Sequence, residues 1–240
     1  MSASTPQDPN LSPPSGSTAQ DPLPAPEPLA APSLIETMRV EAGGVLPLLE
    51  GHLERLHRSS AALGHKWPGE EAVRKQVAGA VANLDAAQAW RLRLLLAARG
   101  DISLASSPLP ALPSPLSVVV QGPRMRGGEA WLRHKTTHRP WYQQATHWLA
   151  GHPDVFDVLY WNENGEMCEG SRSNLYMRTA DGRWLTPPVE AGALPGVQRQ
   201  ALLRAGLVKE APISRDDFLL APAIRLSNAL RGWCDAQLAC

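Results

Sequence analysis

The sequence is short of the features that define several large protein classes. Its three cysteines, Cys168, Cys234 and Cys240, are an odd, sparse set without CxxC spacing. They support neither a disulfide framework nor a zinc cluster, no metal is expected, and a cytoplasmic, reducing compartment fits best. Charge of one sign is lacking as well. The 23 basic residues balance 23 acidic ones, which gives no electrostatic reason to expect nucleic acid or an anionic membrane as a partner. No apolar run approaches the roughly 18 residues that a membrane span needs, and no internal repeat is visible. Lysine is the most informative shortage: only four of the 23 basic residues are lysines, Lys66, Lys75, Lys135 and Lys209.

Where a positive charge alone would serve, this chain nearly always uses arginine. Lys135 stands in RHKTTHRPWYQ, residues 133–143, between an aromatic-rich stretch and two threonines. Arginine outdoes lysine at forked contacts but cannot act as an amine nucleophile near neutral pH. A lysine can, once burial or neighbours lower its pKa, and Schiff-base chemistry with a carbonyl needs that. A solvated surface charge is the ordinary fate of a lysine, so Lys135 acquires meaning only from the motifs around it.

A length of 240 residues suggests one large domain or two small ones. Residues 1–33 hold nine of the 23 prolines and no lysine or arginine. A secretory signal would need a basic start and an apolar centre, and a transit peptide would need arginines. The stretch cannot bury enough apolar surface to offset its ordering entropy and is expected to be a disordered tail.

Order is expected from Leu34. Residues 34–40 read as a strand, 41–44 as a turn and Val45–Leu49 as a return strand, completing a hairpin. Leu53, Leu56, Ser60 and Leu63 then recur at helical spacing up to Gly64. A second helix is expected over 70–84. WRLRLLLAA and ISLASS read as a strand pair around Arg99-Gly100-Asp101, and SVVVQG as an apolar strand. Residues 139–150 read as helical. The stretch 157–178 reads as strand, Asn164-Gly165 turn and strand, RWLTPP as a short strand, and LPGVQRQALLRAG as a loop opening a helix. AIRLSNALRG reads as a strand entering a tight loop. Hairpins precede helices in both halves and regular βαβ alternation is missing, which argues for α+β packing.

Four further stretches mix small residues with groups suited to an anionic, aromatic ligand. They are Arg55 in GHLERL, Glu169 in EGSRSNLY, Gly196 in LPGVQR, and Ser227 with Asn228 in LSNALRG. Each has an ordinary reading: a solvated helix face, a solvated glutamate, a plain helix start and a polar turn. Free N–H groups at a helix start can also hold an anion. In a fixed order the stretches become far more specific together.

The order GHLERL, HKTT, EGSRSN, TPP…LPGV, SNALRG resembles the class IV aminotransferases, the pyridoxal-phosphate enzymes of fold type IV. The likeness runs from residue 34 to about 238. LIETMRVEAGG, HKTTHRPWY and SNALRG look most like the aminodeoxychorismate lyases of that class. The resemblance implies a two-domain α+β fold, D-amino-acid aminotransferase-like, with a small α+β domain at 34–120 and a larger cofactor-binding α/β domain at 125–240. It implies pyridoxal 5'-phosphate bound covalently to Lys135, with Glu169 pairing with the pyridine nitrogen and Arg55 binding the phosphate. Gly196, Val197 and Gln198, with Ser227 and Asn228, would complete the phosphate cup, and Ser173 and Asn174 would line the ring. Gln198 departs from the threonine common at its position. The proline-rich tail stands where stand-alone members carry an extra strand segment with a Gly-Asp-Gly signature.

The reaction implied is conversion of 4-amino-4-deoxychorismate to 4-aminobenzoate and pyruvate, a step towards folate. Arg39 and Arg231 are candidates for the small-molecule substrate's carboxylates. A homodimer and functional pairing with aminodeoxychorismate synthase are implied as well. A branched-chain or D-amino-acid aminotransferase shares every cofactor residue and is the first alternative. A non-catalytic binding protein derived from the enzyme is the second.

Overall fold

The computed structural model describes Met1 and residues 31–121 and 130–239. The expected disordered tail, apart from Met1 and residues 31–33, lies outside the described residues, as does any strand segment ahead of residue 31. From Ala31 onward the chain forms one compact unit built on two sheets.

The first sheet follows from strict alternation. β1 (Leu34–Val40) pairs antiparallel with β2 (Trp90–Leu96), and β2 with β3 (Ile102–Pro108). Between β1 and β2 run the helices α1 (Leu49–Leu63) and α2 (Glu70–Ala82). Side chains alternate across a strand. Leu34, Met38 and Val40 with Leu92, Leu94 and Leu96 thus share one face and pack on Leu53, Leu56, Val73 and Val77 of the helices. The intervening positions, Thr37, Arg39, Arg91 and Arg93, occupy the opposite face. Gly64 ends α1 at a φ of 68°, a left-handed position that glycine adopts without a Cβ penalty.

The expected return strand at Val45–Leu49 is not formed. Turns and loop run from Ala42 to Leu48, and α1 begins at Leu49. Pro47 cannot donate to a ladder, while Leu46 and Leu49 pack against the core and Val45 is exposed. The partner of β1 is the distant β2, with Val40 opposite Trp90.

The second sheet is mixed and eight-stranded. Its strands are β4 (Leu116–Val120), β5 (Asp157–Trp161), β6 (Met167–Gly170), β7 (Asn174–Arg178), β8 (Trp184–Thr186), β9 (Lys209–Glu210), β10 (Ile224–Asn228) and β11 (Gly232–Leu238). They lie in the order β6-β5-β4-β11-β10-β7-β8-β9, parallel at β4:β5, β4:β11 and β8:β9. The helices α3 (Gln143–Ala150), α4 (Val197–Arg204) and α5 (Arg215–Leu219) belong to the same half. A core of Leu116, Val118, Leu159, Leu175 and Leu226 is drawn from four strands, β4, β5, β7 and β10. β4 hydrogen-bonds into this sheet and not the first, so the chain passes from one sheet to the other between Pro108 and Leu116.

The segment carrying Lys135 joins the two sheets. Ile35 N–H donates to the Lys135 carbonyl at 2.8 Å and Thr137 N–H to Ser33 at 2.9 Å. A second junction sets α1 against α4. A Cβ on Gly51 would lie 2.8 Å from Val197 Cγ1, and Arg204 reaches Glu54 at 2.6 Å.

Candidate active site

A cavity of about 430 Å³ is lined by elements of both sheets. Lys135 is partly buried in its wall. Burial, with the guanidiniums of Arg139 and Arg55 nearby, brings the Lys135 amine down to about 7, against an opposing pull from Glu36 and Glu169. A neutral nucleophilic amine is therefore abundant near pH 7, which an ordinary lysine does not offer.

Arg55 reaches the cavity from α1 and is fixed by a buried carboxylate. Its Nε donates to Glu36 Oε1 at 2.9 Å and its Nη2 to Oε2 at 2.5 Å, while His52 Nδ1 lies 2.6 Å from Oε2. Burial alone would raise the Glu36 pKa, but Arg55 and His52 outweigh it and hold the carboxyl at about 2. Glu36 thus orients the arginine and matches its charge.

Glu169 stands at the end of β6, 5 % exposed. It accepts from Leu194 N–H at 2.8 Å through Oε2, and from the Tyr142 hydroxyl through Oε1. The turn that follows is tied to Asp157 on β5. Asp157 accepts from the hydroxyls of Ser171 at 2.6 Å and Ser173 at 2.5 Å. Burial raises the Asp157 pKa, with the serine hydroxyls pulling it down. A Cβ on Gly170 would run into this carboxylate, so the turn requires glycine there. Ser173 lines the cavity, yet its hydroxyl hydrogen is committed to Asp157.

Asn174 lines the same wall and donates to the Leu194 carbonyl at 2.9 Å. This fixes the loop leading into α4, whose first-turn N–H groups have no intrahelical partner. A Cβ on Gly196 would collide with Asn174 Oδ1. Ser227 Oγ lies 2.7 Å from Tyr176 Oη. Asn228 accepts from Leu230 and Arg231 N–H at 3.1 and 2.9 Å, shaping the loop after β10.

Of the residues singled out in the sequence, Arg55, Lys135, Glu169, Ser173 and Asn174 line the one cavity, joined by Gly196, Val197, Ser227, Asn228 and Arg231. Gln198 and Arg39 do not. Both line a neighbouring cavity of about 310 Å³ that shares Arg231, and Arg39 pairs with Glu41 at 2.8 Å. Sequence reasoning missed Arg91, Arg93, Arg139 and Tyr142. For the first two a signal existed: in WRLRLLL, arginines alternate with core leucines and must share the opposite face.

The chain belongs to the class IV aminotransferases. The sequence profile of that family, described as Amino-transferase class IV, matches residues 33–238. A candidate aminodeoxychorismate lyase of Schizosaccharomyces pombe is 28% identical over 201 residues, 81% of this chain and 85% of the relative. The crystal structure of a candidate amino-acid aminotransferase from Mesorhizobium loti aligns with a TM-score of 0.79 at 33% identity, over 87% of this chain and all (100%) of the other. A hypothetical aminotransferase from Mycobacterium tuberculosis, in a form bound to pyridoxal phosphate, shares the fold with a TM-score of 0.72 at 24% identity, over 86% and 81% of the two chains.

This class IV fold depends on pyridoxal phosphate, and the cavity fits that group. An amine of lowered pKa, a buried carboxylate, an arginine and a helix start behind an obligatory glycine match its aldehyde, ring nitrogen and phosphate in kind. Among the described residues no helix is long and apolar enough to cross a membrane.

Proposed function

We propose that the protein is an aminodeoxychorismate lyase, converting 4-amino-4-deoxychorismate to 4-aminobenzoate and pyruvate. One observation carries the choice among class IV activities. The cavity is lined by six arginines and Lys135 against two carboxylates, Asp154 and Glu169. The guanidiniums of Arg91 and Arg93 make no hydrogen bond or ion pair among the described residues. Burial, with Arg91 and Arg139 beside it, lowers the Arg93 pKa, so this wall crowds cations without carboxylates to match them. Cofactor phosphate, at roughly −1.5 to −2, leaves a positive excess. A substrate with two carboxylates answers that excess; a branched-chain amino acid, with one carboxylate and an apolar side chain, does not.

The cofactor supplies an electron sink for the bond broken at the substrate carbon. In this reading Lys135 holds it, and as a free amine then takes the proton from the amine-bearing carbon. Glu169 keeps the ring nitrogen protonated. Arg55, fixed by Glu36, holds the phosphate together with the start of α4, Ser227 and Asn228. Arg91, Arg93 and Arg231 hold the substrate carboxylates, which places this role on β2 and the β10–β11 loop while Arg39 stays with Glu41. Departure of the enolpyruvyl group, with its C–O bond broken, makes the ring aromatic, and the leaving enolate takes up a proton to become pyruvate, which balances the proton that Lys135 removed. A homodimer, functional pairing with aminodeoxychorismate synthase and a cytoplasmic place are part of the same proposal. The aminotransferase reading keeps one observation in its favour, the 33% identity to the Mesorhizobium loti protein.

Supplied with chorismate, glutamine and an aminodeoxychorismate synthase, the protein is expected to release 4-aminobenzoate and pyruvate in equal amounts. Absence of 4-aminobenzoate, with amino transfer from a single amino acid to a 2-oxo acid, would establish the aminotransferase.

A further inference from the structure

Behind the cavity wall formed by Ser227 lies a second, fully buried hydroxyl. Ser227 on β10 stands opposite Asn174 on β7, and Tyr176 follows Asn174 by two residues. Opposite residues of an antiparallel pair, and residues two apart on one strand, share a face. Asn174, Tyr176 and Ser227 therefore lie on one side of the sheet. Ser227 and Asn174 line the cavity with Gly196 and Val197 at the start of α4. Tyr176 is 0 % exposed, packed with Leu202 of α4, its ring edge-on to Trp233 at 5.8 Å. Its hydroxyl oxygen lies 2.7 Å from Ser227 Oγ, and neither hydroxyl has another partner among the described residues.

The direction of this hydrogen bond follows from what each group has left. A buried hydroxyl hydrogen without an acceptor costs the full desolvation of the donor. Ser227 Oγ is the acceptor within reach of the Tyr176 hydrogen, whereas the Ser227 hydrogen has the cavity before it. Burial pushes the Tyr176 pKa up, so the phenol keeps its hydrogen. Arg199 on α4 adds to the bias. It is wholly buried, donates from Nη2 to the Pro187 carbonyl at 2.7 Å and pairs with Glu210. Its charge acts on the Tyr176 hydroxyl. A cation attracts the phenol oxygen and repels its hydrogen, which favours donation to Ser227. We infer that Tyr176 is a positioning residue for phosphate binding. By donating to Ser227 Oγ it fixes that hydroxyl and leaves the serine hydrogen to an anion at the start of α4. The inference rests on the proposed assignment of Ser227 to the cofactor's phosphate. A hydroxyl that accepts one hydrogen bond donates a stronger one, because linked hydrogen bonds polarise each other. The free N–H groups at the start of α4 and the Ser227 hydroxyl then serve one anion.

The phosphate can be tested apart from the rest of the cofactor. The full-length protein, freed of cofactor, is titrated with pyridoxal 5'-phosphate and with pyridoxal, which has the aldehyde and ring but no phosphate. Wild type, Tyr176→Phe, Ser227→Ala and the double variant are compared by the absorbance of the bound ligand. Thermal melts monitor folding, and the titrations are run well below the lowest melting temperature. Tyr176→Phe keeps the ring and its packing and removes only the hydroxyl. It is expected to weaken pyridoxal 5'-phosphate binding about fivefold, the scale of one neutral hydrogen bond, and to leave pyridoxal affinity unchanged. Ser227→Ala should lower the preference for the phosphorylated ligand about tenfold, and adding Tyr176→Phe to it should lower that preference no further. If Ser227→Ala leaves the preference as in wild type, the assignment of Ser227 to the phosphate fails and takes the inference with it. If Ser227→Ala lowers the preference but Tyr176→Phe weakens both ligands alike, changes neither, or acts equally in the Ser227→Ala background, the inference alone is overturned.

Discussion

At the scale of single residues, the account turns on Lys135. Reduction with borohydride after adding pyridoxal phosphate should fix the label on Lys135, and Lys135→Arg should abolish it. A label on Lys66, Lys75 or Lys209 would contradict the assignment. Since burial lowers the amine to about 7, amine-reagent labelling of the cofactor-free protein should be half-maximal near that pH. An ordinary lysine reaches that point near pH 10.4. Glu36 carries a second prediction. Its folded pKa of about 2 lies below the ordinary 4.5, so its stabilisation is complete above pH 4.5 and is lost as pH falls towards 2. Glu36→Gln leaves Arg55 buried without its anion and should destabilise the protein by roughly 3–5 kcal/mol, read by urea unfolding. Lys135, Glu169 and Arg55, singled out through motifs that resemble the class IV family, line one cavity. Tyr176, Glu36 and Asp157 could not be singled out, because each acts through a partner that only the fold brings near.

At the scale of elements, alternation and punctuation carried most of the information. The helical spacing before Gly64 and the strands around Arg99-Gly100-Asp101 are found as the pattern implies. The hairpin expected at Val45–Leu49 is absent because a short apolar run does not distinguish a strand from a loop packed on a core, and Pro47 within it cannot donate to a ladder. β11 was missed because its apolar content is modest and only its partners β4 and β10 define it. The same alternation yields a prediction for β2. Arg93→Met should raise KM for the dicarboxylate substrate more than about tenfold, the scale of losing a charged hydrogen bond, while affinity for pyridoxal phosphate holds. A loss of cofactor affinity instead would remove β2 from the substrate wall. At the start of α4, Gly196→Ala should weaken cofactor binding, because its Cβ meets Asn174.

At the scale of the whole molecule, the sequence order of the motifs implied the family and its fold before any contact was known. It did not give the pairing of β4 with β5 and β11, since long-range register depends on side chains far apart in the chain. Nor did it show that a surplus of arginines would collect in one cavity. That surplus underlies the central claim, that this class IV site performs a lyase reaction. The most direct measurement counts product per cofactor site in the coupled reaction with every 2-oxo acid acceptor withheld at the start. A lyase restores its cofactor in each cycle, so 4-aminobenzoate should accumulate far beyond one equivalent per site, matched by pyruvate. Product that stops at or below one equivalent, with the cofactor band bleached until a 2-oxo acid is added, would contradict the account and mark the protein as an aminotransferase.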